Sequence, residues 1–341
     1  MTTKQMASLN GNVANGNNSD VQSIIESAMQ TVEDVMHNVV NSDVDVLQSA
    51  SHHILAAGGK RVRPRLLMLS YLATGGTNID HAAPVAAALE LVHTASVVHD
   101  DINDHGVLRR GRPSVNAIWG RTFALLTGDY LFTKVYELMA GYGDLNVLFS
   151  EATIALVEGE TLQAAAVKNK QFDRETYMKI IARKTAVLFK IGAMLGGRLN
   201  NASEKQLNAL EQYGYNIGLA FQIIDDILDI VGDEKELGKT SGIDLDQGKG
   251  FASVEDSGNG NGHGHSNGHT NGNGNGNGNG TPADPMAEIK RKLISADRID
   301  RAQDQAHSLV QMAIKDLDVL PDTPYREALI DLAYSVINRT K

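Results

Sequence analysis

The sequence predicts an all-α protein. Apolar residues recur at three- and four-residue steps along most of the chain. Alternating Val/Ile/Thr runs closed by hairpin turns are absent. The chain is 42% apolar but only 5% aromatic, so Leu, Ile, Val, Met and Ala must fill the core. Runs such as AAPVAAALELV let helix axes approach closely.

Taken in order, residues 1–18 are polar and rich in Asn and Gly, with too little apolar area to offset chain ordering, and read as a disordered arm. Order is expected from Ser19, where Ser19-Asp20-Val21-Gln22 forms a capping box leading into VQSIIESAMQTVEDVMHNVV. The helical period returns over 44–57, 64–74, 82–104, 115–141, 145–168, 174–197, 203–231, 286–317 and 325–339. Between 257 and 280, 18 of 24 residues are Gly or Asn, so this stretch cannot be core. It reads as a flexible coil spanning roughly 25–30 Å. His263, His265 and His269 within it read as solvated linker positions. The expected organisation is one domain over 19–341, interrupted by a linker at about 251–285.

Composition excludes several functions. There is no Cys, hence no disulfide framework or Cys-ligated metal. A net charge of -10, from 31 Lys+Arg against 41 Asp+Glu, argues against a nucleic-acid binder, which needs a basic face. No run approaches 18 consecutive apolar residues, and MTTKQMASLNGN lacks an apolar export-signal core, so a cytoplasmic protein without a spanning helix is expected.

Two acidic motifs carry the chemistry. Asp100, Asp101 and Asp104 close the apolar segment ALELVHTASVVHDD, and four residues turn about 400°, placing Asp100 and Asp104 on one face. Asp225, Asp226 and Asp229 repeat the spacing after GLAFQII. One such motif alone reads as a solvated helix face, but two copies after apolar stretches point to carboxylates at the mouth of a low-dielectric cavity. These repel one another unless a cation neutralises them. All-oxygen ligands favour a hard ion, and Mg²⁺ commonly shares carboxylates with substrate phosphates. Two basic runs fit a diphosphate: GGKRVRPR, with Lys60, Arg61, Arg63 and Arg65 after a Gly pair, and LRRGRPS, with Arg109, Arg110 and Arg112.

These segments resemble the trans-prenyl diphosphate synthases. GGKRVRP (58–64), ELVHTASVVHDDINDHGVLRRGRPS (90–114), GD (128–129), EGE (158–160), RKTAVLF (183–189), GLAFQIIDDILD (218–229) and GKTSGIDLDQGK (238–249) stand in that family's order. The plain DDxxD flanked by LVHTAS is most similar to the long-chain polyprenyl branch. The resemblance implies the isoprenoid synthase fold, an antiparallel helical bundle around a central cavity. It implies an allylic diphosphate held through Mg²⁺ by Asp100, Asp104 and Asp225, with Asp101, Asp226 and Asp229 in support and Arg109, Lys184 and Lys239 on phosphate oxygens. Isopentenyl diphosphate is then expected against Lys60, Arg63, His93 and Arg110, with Gln222, Lys184 and Thr185 stabilising an allylic cation. His93 taken alone reads as a core histidine.

In the family the chain resembles, a bulky aromatic one turn below the first aspartate stops growth early, so by that resemblance the small Ala95 and Ser96 imply an open tunnel floor and a product longer than geranylgeranyl, suited to a quinone side chain or carrier lipid. A homodimer and peripheral membrane contact for product release are also expected. The sequence departs from the family after 249, where GKGFASVEDSG replaces an apolar helix. Two other readings share part of the pattern. A terpene cyclase would have the first DDxxD but normally lacks GGKRxRP. A non-catalytic regulatory subunit of a heteromeric synthase tends to lose one acidic motif.

Overall fold

The computed structural model describes residues 3–169, 173–231 and 296–339. Helices dominate. α1 (Thr3–Val39) is followed by α2 (Asp45–Ala56), α3 (Val62–Ala73), α4 (Ile79–Asn103), α5 (Val115–Met139), α6 (Asp144–Asn169), α7 (Arg174–Ile181), α8 (Val187–Leu199) and α9 (Glu204–Val231), then α10 (Ala296–Asp316) and α11 (Pro324–Ile337). α1 takes in residues 3–18, which composition assigns to a disordered arm. The helix runs N-terminally past Ser19. The linker at 251–285 lies outside the described residues.

α4 is the central element. From Ala82 to Val92 every residue but Pro84 is buried, and α4 packs against α5, α1, α3 and α8. Asn78 caps it by accepting a bond from the His81 N–H at 3.2 Å. By length and composition α4 is apolar enough to cross a membrane, but its apolar window is largely buried inside the protein, as in a core helix. α9 runs along α8 and α10, so the segment beginning at Ala296 returns to the body of the bundle.

Three features break the regular period. α5 is kinked at Gly120 (φ 80°, ψ 167°), a backbone conformation that suits glycine. A two-stranded antiparallel ribbon, β1 (Leu108–Arg109) and β2 (Arg112–Pro113), pairs Leu108 with Pro113 and Arg109 with Arg112. The segment expected as one helix over 174–197 is interrupted by a π-turn at Ala182–Ala186, and such single π-turns are frequent at functional sites.

Candidate active site

The π-turn carries Lys184 and Thr185 and links the two acidic motifs. Lys184 Nζ donates to Asp100 Oδ2 at 3.2 Å and to Glu160 Oε2 at 2.8 Å. Burial alone would lower the Lys184 pKa, but the charges of Asp100 and Glu160 outweigh it and raise it, keeping the ammonium protonated. One residue along, Thr185 Oγ1 donates to Gln222 Oε1 at 2.6 Å, and Gln222 Nε2 donates to Asp226 Oδ1 at 2.8 Å. The α4 motif and the α9 motif are therefore joined through adjacent residues of one turn. Gly159 makes this possible, because a Cβ there would stand 2.7 Å from the Lys184 backbone N.

Each acidic motif meets a cation of the chain. Asp101 is buried, and its Oδ1 accepts from Arg109 Nε at 3.1 Å and Nη2 at 2.8 Å, while among the described residues its buried Oδ2 has no hydrogen-bond partner. Burial pushes the Asp101 carboxyl up despite the opposing Arg109 charge. Asp104 caps α4, its N–H bonding the Asp100 carbonyl. Asp225 Oδ1 accepts from Arg339 Nη2 at 3.4 Å. Asp226 is buried, and its Oδ2 accepts from the Tyr177 hydroxyl at 2.8 Å. Asp229 is buried as well. Arg109 and Lys184, expected on phosphate oxygens, thus hold carboxylates here. Lys239 lies outside the described residues.

The second group of expected residues gathers at the turn before α3. Gly58 (φ 68°), Gly59 (φ 146°) and Arg61 (φ 45°) give that turn its left-handed course. A side chain at 59 would overlap the Arg110 guanidinium, so the Gly pair makes room for an arginine. Arg63 is buried with its guanidinium 4.8 Å from the Phe189 ring centroid and 5.8 Å from that of Phe221. Burial lowers its pKa to about 10, against the opposing charges of Glu90 and Asp225. The Lys60 ammonium is lowered by burial and by Arg339. His93 is held well below the ordinary histidine value by burial and by Arg63, Arg110, Arg109 and Arg61, so it is neutral at neutral pH. A small cleft is lined by Arg61, His93, Arg109 and Arg110 together with Thr94 and Val97.

On α4, Ala95 is fully buried, whereas Ser96, one turn below Asp100, is half-buried with its hydroxyl on the His93 carbonyl at 2.8 Å. Sequence reasoning missed Arg339, Tyr177 and Glu90, and gave Glu160 no role although EGE was among the motifs. Arg339 stacks over Phe221 at 4.3 Å, bringing the end of the described chain onto the second acidic motif. No spacing rule links positions so far apart.

The site thus lies in a mostly helical bundle in which acidic helix ends lie beside lysine and arginine side chains. The chain belongs to the polyprenyl synthetase family of prenyltransferases, whose profile matches residues 44–254. It is 34% identical over 304 residues to octaprenyl diphosphate synthase of Escherichia coli (strain K12), covering 89% of this chain and 93% of that one. It is 35% identical over 322 residues to heptaprenyl diphosphate synthase component 2 of Geobacillus stearothermophilus, covering 93% and 97%. Among solved structures, a polyprenyl synthase from Caulobacter crescentus CB15 complexed with calcium and isoprenyl diphosphate superposes with a TM-score of 0.82 at 28% identity, covering 95% of this chain and 98% of that one. The fold is the isoprenoid synthase fold.

Proposed function

We propose that the protein is a trans-polyprenyl diphosphate synthase that condenses isopentenyl diphosphate head-to-tail with an allylic diphosphate. The observation that carries this is the pair of links from one π-turn, Lys184 to Asp100 and Thr185 through Gln222 to Asp226. They put a permanent cation and two neutral dipoles between the acidic motifs.

The donor set fits a hard divalent ion. It is all oxygen, and among the described residues the buried Oδ2 of Asp101 has no hydrogen-bond partner. Mg²⁺ at such a site takes part of its coordination from substrate phosphates and water rather than from an all-protein cage. Asp100, Asp104 and Asp225 would hold it, and when bound it would neutralise charge on the departing diphosphate. Lys184 and Arg109 add fixed positive charge at the same place. The Gln222 and Thr185 oxygens suit an allylic cation. Lys60, Arg63 and Arg110 hold the second diphosphate, with neutral His93 as a hydrogen-bond donor. The C–O bond of the allylic substrate breaks, a C–C bond forms to the isopentenyl double bond, and the released diphosphate takes the proton.

Small Ala95 and Ser96 below Asp100 support a long product. We place the enzyme in the cytoplasm as a homodimer with transient membrane contact when the product leaves, and as one catalytic domain interrupted at about 251–285. The test is incubation of purified protein with Mg²⁺, farnesyl diphosphate and labelled isopentenyl diphosphate, with products sized after dephosphorylation. A ladder of linear alcohols is expected, and Ala95→Phe is expected to shorten it without stopping the first condensation. A cyclic hydrocarbon, or no product, would overturn the reading.

A further inference from the structure

Arg61 belongs to the basic run that suggests phosphate binding, yet its guanidinium faces carboxylates. Nε donates to Glu33 Oε1 at 2.6 Å and Nη2 to Glu33 Oε2 at 3.3 Å. Nη1 donates to Glu90 Oε1 at 3.1 Å, and Nη2 also reaches the Leu55 carbonyl at 3.0 Å. One side chain thus ties α1, the end of α2 and α4 to the turn before α3. Arg61 itself has a left-handed backbone at the N-cap of α3. That conformation is strained for a non-glycine residue and persists only when its surroundings over-determine it.

Glu90 is the buried acid nearest in effect to the second diphosphate site, since its charge acts on Arg61, Arg63 and Arg110 alike. Its side chain is 3% exposed. Even so, among the described residues Glu90 Oε2 and Arg63 Nε are both buried without a hydrogen-bond partner. Arg63 lies against two aromatic rings rather than against the carboxylate. Among the described residues the Glu90 carboxylate hydrogen-bonds Arg61, so a buried carboxylate sits beside the anion-binding arginines while its bond goes to Arg61.

We infer that Arg61 is a positioning residue for the isopentenyl diphosphate site, engaging Glu90 and Glu33 so that the guanidinium groups of Arg63 and Arg110 stay available to an anion. The inference rests on the function proposed above. Without Arg61, Glu90 would be a buried carboxylate lacking its partner, and the nearest remedy is capture of Arg63 or Arg110. Glu90 would then compete with the anionic substrate for those guanidinium groups. Among the described residues the Arg61 side chain bonds Glu33, Glu90 and the Leu55 carbonyl rather than Asp100, Lys184 or Asp225, so the allylic side is expected to be spared.

The experiment is steady-state kinetics with isopentenyl and farnesyl diphosphates varied separately, for wild type, Arg61→Met, Arg61→Lys and the double variant Arg61→Met/Glu90→Gln. A wild type that forms no elongated product overturns the functional reading itself, before any variant is compared. With an active wild type, Arg61→Met is expected to raise KM for isopentenyl diphosphate about tenfold and leave KM for farnesyl diphosphate within about twofold. The double variant, which removes the competing charge, is expected to recover most of that loss. A rise in both KM values together, or no recovery in the double variant, overturns the inference. Should Arg61→Met fail to fold, Arg61→Lys decides. Lysine lacks the planar fork with which Arg61 meets both Glu33 oxygens, Glu90 and the Leu55 carbonyl at once, so a rise of about threefold confined to isopentenyl diphosphate is expected, and an unchanged value overturns the inference.

Discussion

The Tyr177 hydroxyl is buried against Asp226, and both burial and the carboxylate charge raise its pKa well above the usual phenol value, so it stays a donor. Tyr177→Phe leaves the buried Asp226 Oδ2 without that donor, a loss of about 1–3 kcal/mol by the cost of an unmade buried bond. Urea unfolding checks it, and a double variant with Asp226→Asn should lose less than the sum of the singles. His93 gives a pH dependence. Its folded pKa lies below the unfolded value of about 6.5, so the unfolded chain binds more protons in that window and stability rises with pH. The contribution is complete above the unfolded value and is lost as the pH falls below it, by at most about 1.4 kcal/mol per pH unit. Urea titrations at acidic and neutral pH should show this slope, and His93→Gln should flatten it.

At the scale of elements, the site depends on how close α6 comes to the π-turn. Gly159→Ala would place a Cβ 2.7 Å from the Lys184 N and 2.9 Å from the Arg183 Cβ, contacts that backbone must move to relieve. The turn should shift, breaking the bonds of Lys184 to Asp100 and Glu160. A fall in kcat of about tenfold or more is expected, with a stability loss of about 1–3 kcal/mol from overpacking. Turnover and thermal unfolding measured together check both. Helices α2 to α9 were legible in the sequence because their apolar stripes follow the helical period, and both acidic motifs were legible because a four-residue spacing on a helix fixes a face. The π-turn, the Gly120 kink and the Arg109 ribbon were not. Each is set by what packs against it, and RKTAV reads as unbroken helix until Gly159 and the carboxylates are beside it. The pairing of Asp225 with Arg339 was equally invisible, since it joins positions 114 residues apart.

For the whole molecule, the distribution of apolar surface matters more than its total. α5 leaves Ile118, Phe123, Leu125 and Leu126 between 44% and 48% exposed, and α6 leaves Val147, Ile154 and Val157 between 56% and 58% exposed. On α6 these three recur at spacings of seven and three, which is a single helix face. Large apolar side chains repeated along two consecutive helices mark a candidate interaction surface. A second copy of the chain meeting the first through α5 and α6 would cover them in an isologous interface, where each residue counts twice. A charge at Ile154 would then be buried twice about the symmetry axis, whereas in a monomer it would be harmless and solvated. Ile154→Glu is therefore expected to leave the helical circular dichroism unchanged while converting a dimeric sedimentation coefficient to a monomeric one. Wild-type protein that sediments as a monomer at the concentrations used for turnover would rule out the α5–α6 interface.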